Sequence, residues 1–340
     1  MNGMQHKQYP DVAFGARSPA PGLSSPVCVW RFLDGKAGHR NQVTGLIDAL
    51  AKRANIVCHD VEVTTLFKWL RSLIPGRLNS FAALRSPTLL IGAGHATHIP
   101  MLAAKKWYGG RTVVLMKPSL PPSQFDLCLI PEADEIRRPR KNVILTDGAL
   151  NRIQPSQQLD GKKGLMLIGG PSEHFGWSIA NVIRQICMVI DKTPDVEWTL
   201  TTSRRTPNAF LDAWRASGCQ GQMLPVDQTN ADWLPSQLQL SATVWVTNES
   251  VSMIYEALTS GAAVGILTLP KSRDSRVTRG IDALIAREIV TPFDRWRQIS
   301  TVPQSKHIFN EANRCAELVV QTLLSSPDMP PAQFRRKAVA

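Results

Sequence analysis

The polar side chains best suited to bind an anionic ligand lie in residues 247–270. This stretch follows a short apolar run and reads as the end of a strand, a helix and the next strand. Capping-type side chains between Asn248 and Ser252 start the predicted helix, and Gly261 stands where the helix would end. Free N–H groups and a partial positive charge at such a helix start favour a nucleotide diphosphate. We therefore predict an anion-binding site at this point of the chain.

Glu256 lies one or two turns inside the same predicted helix. Its carboxylate is suited to accept hydrogen bonds from the hydroxyl groups of a ribose. The side chains that we expect to bind a nucleotide on this stretch are Asn248, Glu249, Ser250, Ser252 and Glu256.

A second candidate site is the loop Asp34-Gly-Lys-Ala-Gly-His39, which joins a predicted strand to the helical pattern of residues 41–52. Its histidine is suited to act as a general base that deprotonates a hydroxyl group. A tight turn whose glycines serve only backbone geometry, with His39 at the surface, would give the same pattern. On the functional interpretation the site residues here are Asp34, Gly35, Lys36, Gly38 and His39.

The string Gly92-Ala-Gly-His-Ala-Thr97 follows another predicted strand and adds Gly94 and His95 to the same site. It is a poor dinucleotide fingerprint, because its sixth position is Thr97 and no acidic residue follows a second strand at a suitable spacing. His95 and His98 are three residues apart, as two metal ligands on one helix face can be, but no third ligand is near. We expect a polar helix start without a metal. The chain also contains no Asp-x-Asp triplet, which argues against a metal-dependent transferase mechanism.

Two more loops carry groups that can bind phosphate. Gly170 and Ser172 lie between a predicted strand and helix, where backbone amides can approach a diphosphate; the alternative is a flexible turn between domains. Arg204 and Arg205 follow the next predicted strand and suit fork-like phosphate contacts, although most arginine pairs belong to a solvated surface.

In combination these segments resemble the bacterial relatives of the plant mitochondrial-fission ELM protein, a family that includes a lipooligosaccharide outer-core glycosyltransferase. The donor-binding segment of two-domain glycosyltransferases with the B-type fold commonly reads Ser-x-Ser-x-x-x-Glu-Ala-x-x-x-Gly-x-Pro, with a further proline after the next strand. The matching positions are Ser250, Ser252, Glu256, Ala257, Gly261 and Pro270, whereas Ala263 replaces the usual proline. The resemblance implies that the two serines bind the phosphates, Glu256 the ribose and Arg204 the leaving diphosphate, and that the loop at residues 34–39 faces an acceptor.

Apolar runs alternate with helical patterns throughout, which is typical of parallel sheets flanked by helices. We predict an α/β fold of two doubly wound, Rossmann-like domains that face a cleft, as in B-type (GT-B) glycosyltransferases. The predicted parts are a disordered leader (1–26), an acceptor-side domain (27–150), a linker (151–163), a donor-binding domain with a closing helix (164–325) and a flexible tail (326–340).

The composition limits the classes of partner that the protein can bind. The 340 residues include 43% hydrophobic and 19% charged residues, and the formal net charge of +12 predicts an acidic partner. A nucleotide diphosphate or anionic lipid fits this charge better than nucleic acid, because aromatic residues make up only 6% and no nucleic-acid motif is present. The six cysteines show no CxxC or metal-ligand spacing, and a reducing cytoplasm fits them best. No apolar run reaches the roughly 18 residues of a spanning helix.

Residues 66–78 combine apolar and aromatic side chains at helical spacing with Lys68, Arg71 and Arg77. They would suit a membrane surface, although a helix that packs on the first sheet explains the same spacing.

From these features we predict a cytoplasmic, metal-independent glycosyltransferase without a cofactor, peripheral to the inner face of the inner membrane. It would move a sugar from a nucleotide-activated donor to an envelope glycan or lipid-linked acceptor, with His39 as the base. A nucleotide-sugar epimerase of the same fold and a noncatalytic interaction protein are the alternatives.

Overall fold

In the computed structural model, which describes residues 26–63, 85–134, 140–307 and 309–325, the chain forms two six-stranded parallel sheets flanked by helices. The predicted α/β fold with two doubly wound units is therefore confirmed. Strands that are covered by helices on both faces read as continuous apolar runs, as β1 (Val27–Leu33) does with all seven residues buried.

The first sheet has the strand order β2-β1-β3-β4-β5-β6, with all neighbouring strands parallel. The chain winds outward in both directions from β1 and β3, so the order reverses between these two strands. The remaining strands are β2 (Ile56–Glu62), β3 (Leu89–Ala93), β4 (Arg111–Leu115), β5 (Leu127–Pro131) and β6 (Val143–Thr146), and the helices are α1 (Ala37–Ala51) and α2 (His98–Tyr108).

The second sheet has the order β12-β11-β10-β7-β8-β9, again parallel throughout, and its order reverses between β7 and β10. This is the Rossmann order when the strands are counted within the sheet. The strands are β7 (Asp160–Ile168), β8 (Glu197–Thr202), β9 (Gln222–Leu224), β10 (Ser241–Thr247), β11 (Ala263–Leu267) and β12 (Thr291–Pro292). The helices are α3 (Ile179–Lys192), α4 (Ala209–Ser217), α5 (Trp233–Leu240), α6 (Val251–Ser260), α7 (Arg276–Ala286) and α8 (Phe293–Ile299).

The connection between the two sheets is shorter than the predicted linker, which was drawn from the polar stretch 151–163. β7 begins at Asp160, inside the predicted linker 151–163, and the first three residues of this strand are exposed. The exposed start of the strand explains its polar sequence, because the buried, apolar part begins only at Gly164. Strand β12 was not predicted, since two residues that include a proline leave no periodic pattern.

The closing helix is present but packs against the other half of the protein. Helix α9 (Glu311–Val319) continues into a π-helical turn, Val320–Leu324, within the predicted range 310–325. Its buried residues Ala312, Cys315 and Val319 belong to the core that also contains α1 and the first sheet. The closing helix therefore packs on elements of the predicted acceptor-side domain. The spacing of apolar residues shows that a helix has a buried face but not which sheet will cover it.

Cys187 and Cys219 form a disulfide, with their Cα atoms 5.6 Å apart. Their spacing did not predict this bond, because one cysteine lies on α3 and the other lies in the loop after α4, 32 residues later. Cys28 and Cys128 are buried free thiols, and burial raises the pKa of Cys128 to about 12.

Three predictions fall outside the described residues: most of the leader (1–26), the candidate membrane segment (66–78) and the tail (326–340). Within the described ranges, every helix is too short or too polar to serve as a membrane span.

Candidate functional site

The predicted site residues follow the strands at which each sheet reverses its order. Residues 34–39 span the loop after β1 and the first turn of α1, which begins earlier than predicted, and residues 94–95 follow β3. On the second sheet, residues 169–172 follow β7, and residues 248–252 span the turn after β10 and the start of α6. The carboxyl ends of parallel strands share one edge of a sheet, and ligands of doubly wound sheets bind where the strand order reverses. Topology thus brings the candidate residues together in two groups, one on each sheet.

The group on the first sheet contains an aspartate–histidine pair. Nδ1 of His39 lies 2.8 Å from Oδ2 of Asp34, whose side chain is only 3% exposed. The other Asp34 oxygen, Oδ1, accepts a hydrogen bond from the backbone N–H of Lys36 at 3.1 Å. A buried carboxylate that accepts from Nδ1 fixes the ring orientation and leaves Nε2 as the basic nitrogen. The geometry therefore suits His39 to general-base chemistry.

Gly94 allows this pair to form against the neighbouring loop. Its φ of +87° is a conformation that favours glycine, and a Cβ atom here would lie 2.5 Å from the His39 ring and 2.9 Å from Oδ2 of Asp34. His95 beside it is exposed. Gly94, which the sequence predicted as a site residue, therefore lets the backbone approach the His39 ring closely.

The next histidine, His98 at the start of α2, has a structural role. His98 is buried, its Nδ1 lies 3.1 Å from Oγ of Ser119, and burial, with a smaller contribution from His95, lowers its pKa to about 4. Among the described residues, no three His, Cys, Asp or Glu side chains cluster in a way that could hold a metal ion.

The group on the second sheet surrounds a cavity of about 450 Å³. The predicted donor-binding residues that line this cavity are Ser172, Arg205, Glu249, Ser250 and Ser252. The sequence did not single out four other lining residues, Glu173, His174, Val251 and Val277. Val277 lies at the start of α7, which no motif connected with the site.

Helix α6 points its N-terminus into this cavity. Ser250 is the N-cap residue, but neither its side chain nor another caps the helix. The first N–H groups of a helix have no intrahelical acceptors, so those of Val251 and Ser252 at the cavity wall can bind an anion. The helix ends at Gly261, which is left-handed with φ +87°, as the sequence predicted.

Glu249 joins three of the loops around the cavity. Its side chain is fully buried, and Oε1 accepts hydrogen bonds from the Gly170 N–H at 2.9 Å and from Arg205 at 3.3 Å. Its other oxygen, Oε2, is buried without a hydrogen-bond partner among the described residues. Burial raises the pKa of Glu249, while hydrogen bonds from Thr247 and Gly170 and the charge of Arg205 act in the opposite direction. The Gly170 amide, predicted to face a diphosphate, is thus already used by a protein carboxylate.

Two other predicted donor-binding residues lie away from the cavity. Arg204 is exposed and does not line it, so Arg205 is the arginine placed to contact a diphosphate there. Asn248 is buried, and its side-chain amide exchanges two hydrogen bonds of 3.1 Å with the backbone of Leu269. This pairing gives Asn248 a structural role at the end of β10.

Glu256 contacts the half of the protein that contains the first sheet, and it does not line the cavity. The side-chain amide of Asn41 on α1 donates to its Oε1 at 2.5 Å. Burial raises the pKa of Glu256 to about 7, and the hydrogen bond from Asn41 acts in the opposite direction. Asn41 stands next to the predicted acceptor loop in sequence, yet only the folded chain shows that it meets Glu256.

A second polar contact joins the two halves near the cavity. Arg276, the residue before Val277 on α7, donates to Oδ1 of Asp134 at 2.6 Å, and the Asp134 side chain is 5% exposed. The ring of Tyr255 on α6 packs against Gly148, where a Cβ atom would overlap the ring. The halves are therefore also in contact through the helix that begins at the cavity.

Comparison with known proteins agrees with this architecture. The family model for mitochondrial fission ELM1 matches residues 37–323. No curated protein sequence matches the chain.

Several solved structures share the fold at low sequence identity. UDP-GlcNAc 2-epimerase from Methanocaldococcus jannaschii superposes with a TM-score of 0.56 and 11% identity, over 89% of this chain and 100% of that one. The Neisseria meningitidis UDP-GlcNAc 2-epimerase bound to UDP-GlcNAc gives 0.53 and 12%, over 89% and 100%. The glycotransferase of kitacinnamycin gives 0.52 and 12%, over 88% and 100%.

Proposed function

The chain belongs to the mitochondrial fission ELM1 family, and we propose that it is a metal-independent glycosyltransferase that uses a nucleotide-activated sugar donor. Its acceptor would be a cell-envelope glycan or a lipid-linked glycan. The observation that carries this proposal is the Asp34–His39 pair at the mouth of one sheet, in a protein whose other sheet presents an uncapped helix start to a cavity.

The cavity supplies what a nucleotide diphosphate needs. The backbone N–H groups at the start of α6 and the Ser250 and Ser252 hydroxyls would contact the phosphates, with Arg205 beside them. Glu256 would accept the ribose hydroxyls, a role that comes from the family resemblance; Asn41 binds only its Oε1.

Transfer then needs one base and one site for the leaving group. Nε2 of His39 would take the proton of an acceptor hydroxyl while that oxygen forms a bond to the anomeric carbon of the donor. The bond from this carbon to the nucleoside diphosphate breaks with its electron pair. The helix dipole of α6 and the Arg205 guanidinium would stabilise the charge that develops on the diphosphate.

A nucleotide-sugar epimerase is the second candidate, because two of the solved structures with this fold are UDP-GlcNAc 2-epimerases. An epimerase changes the sugar of the donor without an acceptor. Incubation with UDP-GlcNAc alone, followed by chromatography of the sugar, separates the two functions, since only an epimerase forms a new UDP-sugar there.

We expect UDP to bind the second-sheet cavity and Glu256→Ala to weaken this binding by roughly 1–3 kcal/mol, because the ribose loses charge-assisted hydrogen bonds. Calorimetric titration measures this difference. Glu317→Ala, which removes an exposed glutamate from α9, is the matched control and should leave the affinity unchanged. Equal affinities of wild type and Glu256→Ala, with the variant folded, would exclude the ribose role.

We expect transfer to persist in the presence of a chelator. The chain has no Asp-x-Asp triplet, and the proposed phosphate site uses a helix start and an arginine. The test is to measure transfer with excess chelator and after addition of magnesium or manganese. Loss of transfer in chelator and its return with either ion would contradict this expectation.

We also propose that the protein attaches reversibly to the cytoplasmic face of the inner membrane through residues 66–78, with a net charge of +12 in its favour. Each basic residue near an anionic surface contributes about 1 kcal/mol, and salt weakens this attraction. In vesicle flotation we expect binding that requires anionic lipid, falls with salt and weakens in a folded Lys68→Glu, Arg71→Glu variant. Failure of the wild type to float with anionic vesicles at low salt would refute the attachment.

A further inference from the structure

The guanidinium of Arg205 is held by two of the loops that border the second-sheet cavity. One terminal nitrogen donates to Oε1 of Glu249 at 3.3 Å, and the other donates to the Pro171 carbonyl at 3.5 Å. A guanidinium has more N–H donors than these two contacts use, and the Arg205 side chain is 47% exposed where it lines the cavity. Donors therefore remain for an anion in the cavity.

The backbone that carries Arg205 is fixed as well. Its carbonyl group packs so closely on Gly170 that a Cβ atom there would overlap it. The next residue, Thr206, donates from its hydroxyl group to the carbonyls of Ile168 at 3.0 Å and Gly169 at 2.5 Å. The turn after β8 is thus held on the turn after β7, so the position of the guanidinium depends on what the side chain contacts.

Glu249 is suited to supply this contact, because its own position is fixed. Its side chain is fully buried, Oε1 accepts from the Gly170 N–H at 2.9 Å, and a Cβ atom at Gly169 would overlap this oxygen. The turn after β7 therefore covers the carboxyl group closely. The second oxygen, Oε2, is buried without a hydrogen-bond partner among the described residues, which destabilises the fold. Stability therefore does not account for this carboxyl group.

We propose that Glu249 is a positioning residue, which holds the Arg205 guanidinium at the cavity where it contacts the phosphates of the donor. The inference rests on the proposed donor site at the start of α6. An arginine that is already held in place loses less side-chain freedom when an anion binds, so its contact contributes more to the affinity. Glu249 would act through its acceptor oxygen and through Arg205, and its buried side chain would not touch the ligand.

A negative charge on Glu249 would oppose this role, because a carboxylate repels a diphosphate at the neighbouring helix start. Burial raises the pKa of Glu249 and so favours the neutral form. Glutamine keeps an acceptor oxygen and never carries the charge. A role in positioning therefore predicts that glutamine can replace Glu249 and that alanine cannot.

Calorimetric titration with inorganic pyrophosphate and with UDP tests this role, since pyrophosphate carries the phosphate groups without a base or a ribose. We expect Glu249→Ala to bind both ligands about tenfold more weakly than wild type, because Arg205 loses its contact. Glu249→Gln should bind them at least as tightly as wild type. Equal losses in the two variants, or wild-type affinity in Glu249→Ala, would overturn the proposal.

A double-mutant cycle with Arg205→Gln separates positioning from a general defect of the loops. Arg205→Gln alone should weaken binding about tenfold, whereas Arg215→Gln, which removes an exposed arginine from α4, should leave the affinity unchanged. If Glu249 acts through Arg205, addition of Glu249→Ala to Arg205→Gln weakens binding by less than about twofold more. A defect of the loops would multiply the two losses, and that result would refute the role of Glu249.

The two ligands also separate this inference from the proposed function. If UDP binds no more tightly than pyrophosphate, the donor role of the cavity fails, while the cycle with pyrophosphate still decides whether Glu249 positions Arg205. If wild type binds neither ligand, the cavity is not an anion site, and both proposals fail.

Discussion

Replacement of His39 by alanine is expected to lower the rate of sugar transfer by a factor of about 10² to 10⁴, the range that a positioned general base contributes. Asp34 accepts from Nδ1 of this histidine at 2.8 Å and is almost fully buried, so the imidazole is held in one orientation. The measurement is transfer from a panel of labelled nucleotide sugars to lipid-linked envelope acceptors, with wild type and variant compared under the same conditions.

The same comparison includes two controls and a second variant. UDP affinity should not change in His39→Ala, because His39 lies on the first sheet's half and not in the donor cavity. His307→Ala removes an exposed histidine and should leave transfer unchanged. Asp34→Asn should lower transfer by at least a factor of about 10², since an amide does not stabilise the imidazolium that forms when His39 takes the proton. Normal transfer by a folded His39→Ala variant would remove this histidine from the mechanism.

Replacement of Glu256 by glutamine is expected to stabilise the protein at pH 8 by on the order of 3 kcal/mol and to have little effect at pH 4.5. Burial raises the pKa of Glu256 to about 7, whereas the ordinary value is 4.5. Below the ordinary value both the folded and the unfolded chain carry the proton. Between pH 4.5 and 7 the unfolded chain loses the proton first, so the free energy of unfolding falls as the pH rises. Glutamine keeps the neutral form at every pH and can still accept from Asn41.

Urea unfolding of wild type and Glu256→Gln at several pH values between 4.5 and 8 measures this difference. Other titrating groups are common to both proteins, so their contributions cancel in the comparison. Two curves of unfolding free energy that stay parallel over this range would contradict the raised pKa. Glu317→Gln, on the exposed face of α9, should give curves parallel to wild type and thereby shows that the effect needs burial.

The alternation of apolar runs and helical patterns was enough to predict the two parallel sheets and the sheet edges at which a site can form. The apolar runs between helical patterns are strands in the structure, and those buried on both faces, such as β1 and β3, have few polar residues because helices cover them. Parallel strands present their carboxyl ends at one edge, so the loops after them could be assigned to a cleft before any contact was known. This reasoning placed Asp34 and His39 at the edge of one sheet, and Ser250 and Ser252 at the edge of the other.

Which polar groups are free to bind a ligand depends on contacts between distant parts of the chain. The Gly170 amide is bound by Glu249, 79 residues away, and Glu256 is bound by Asn41, 215 residues away. No local pattern records such pairs, because a buried polar group takes whichever partner the packing of distant elements brings within hydrogen-bond distance. The same holds for α9, whose apolar spacing is compatible with either half and whose buried residues share a core with α1 and the first sheet.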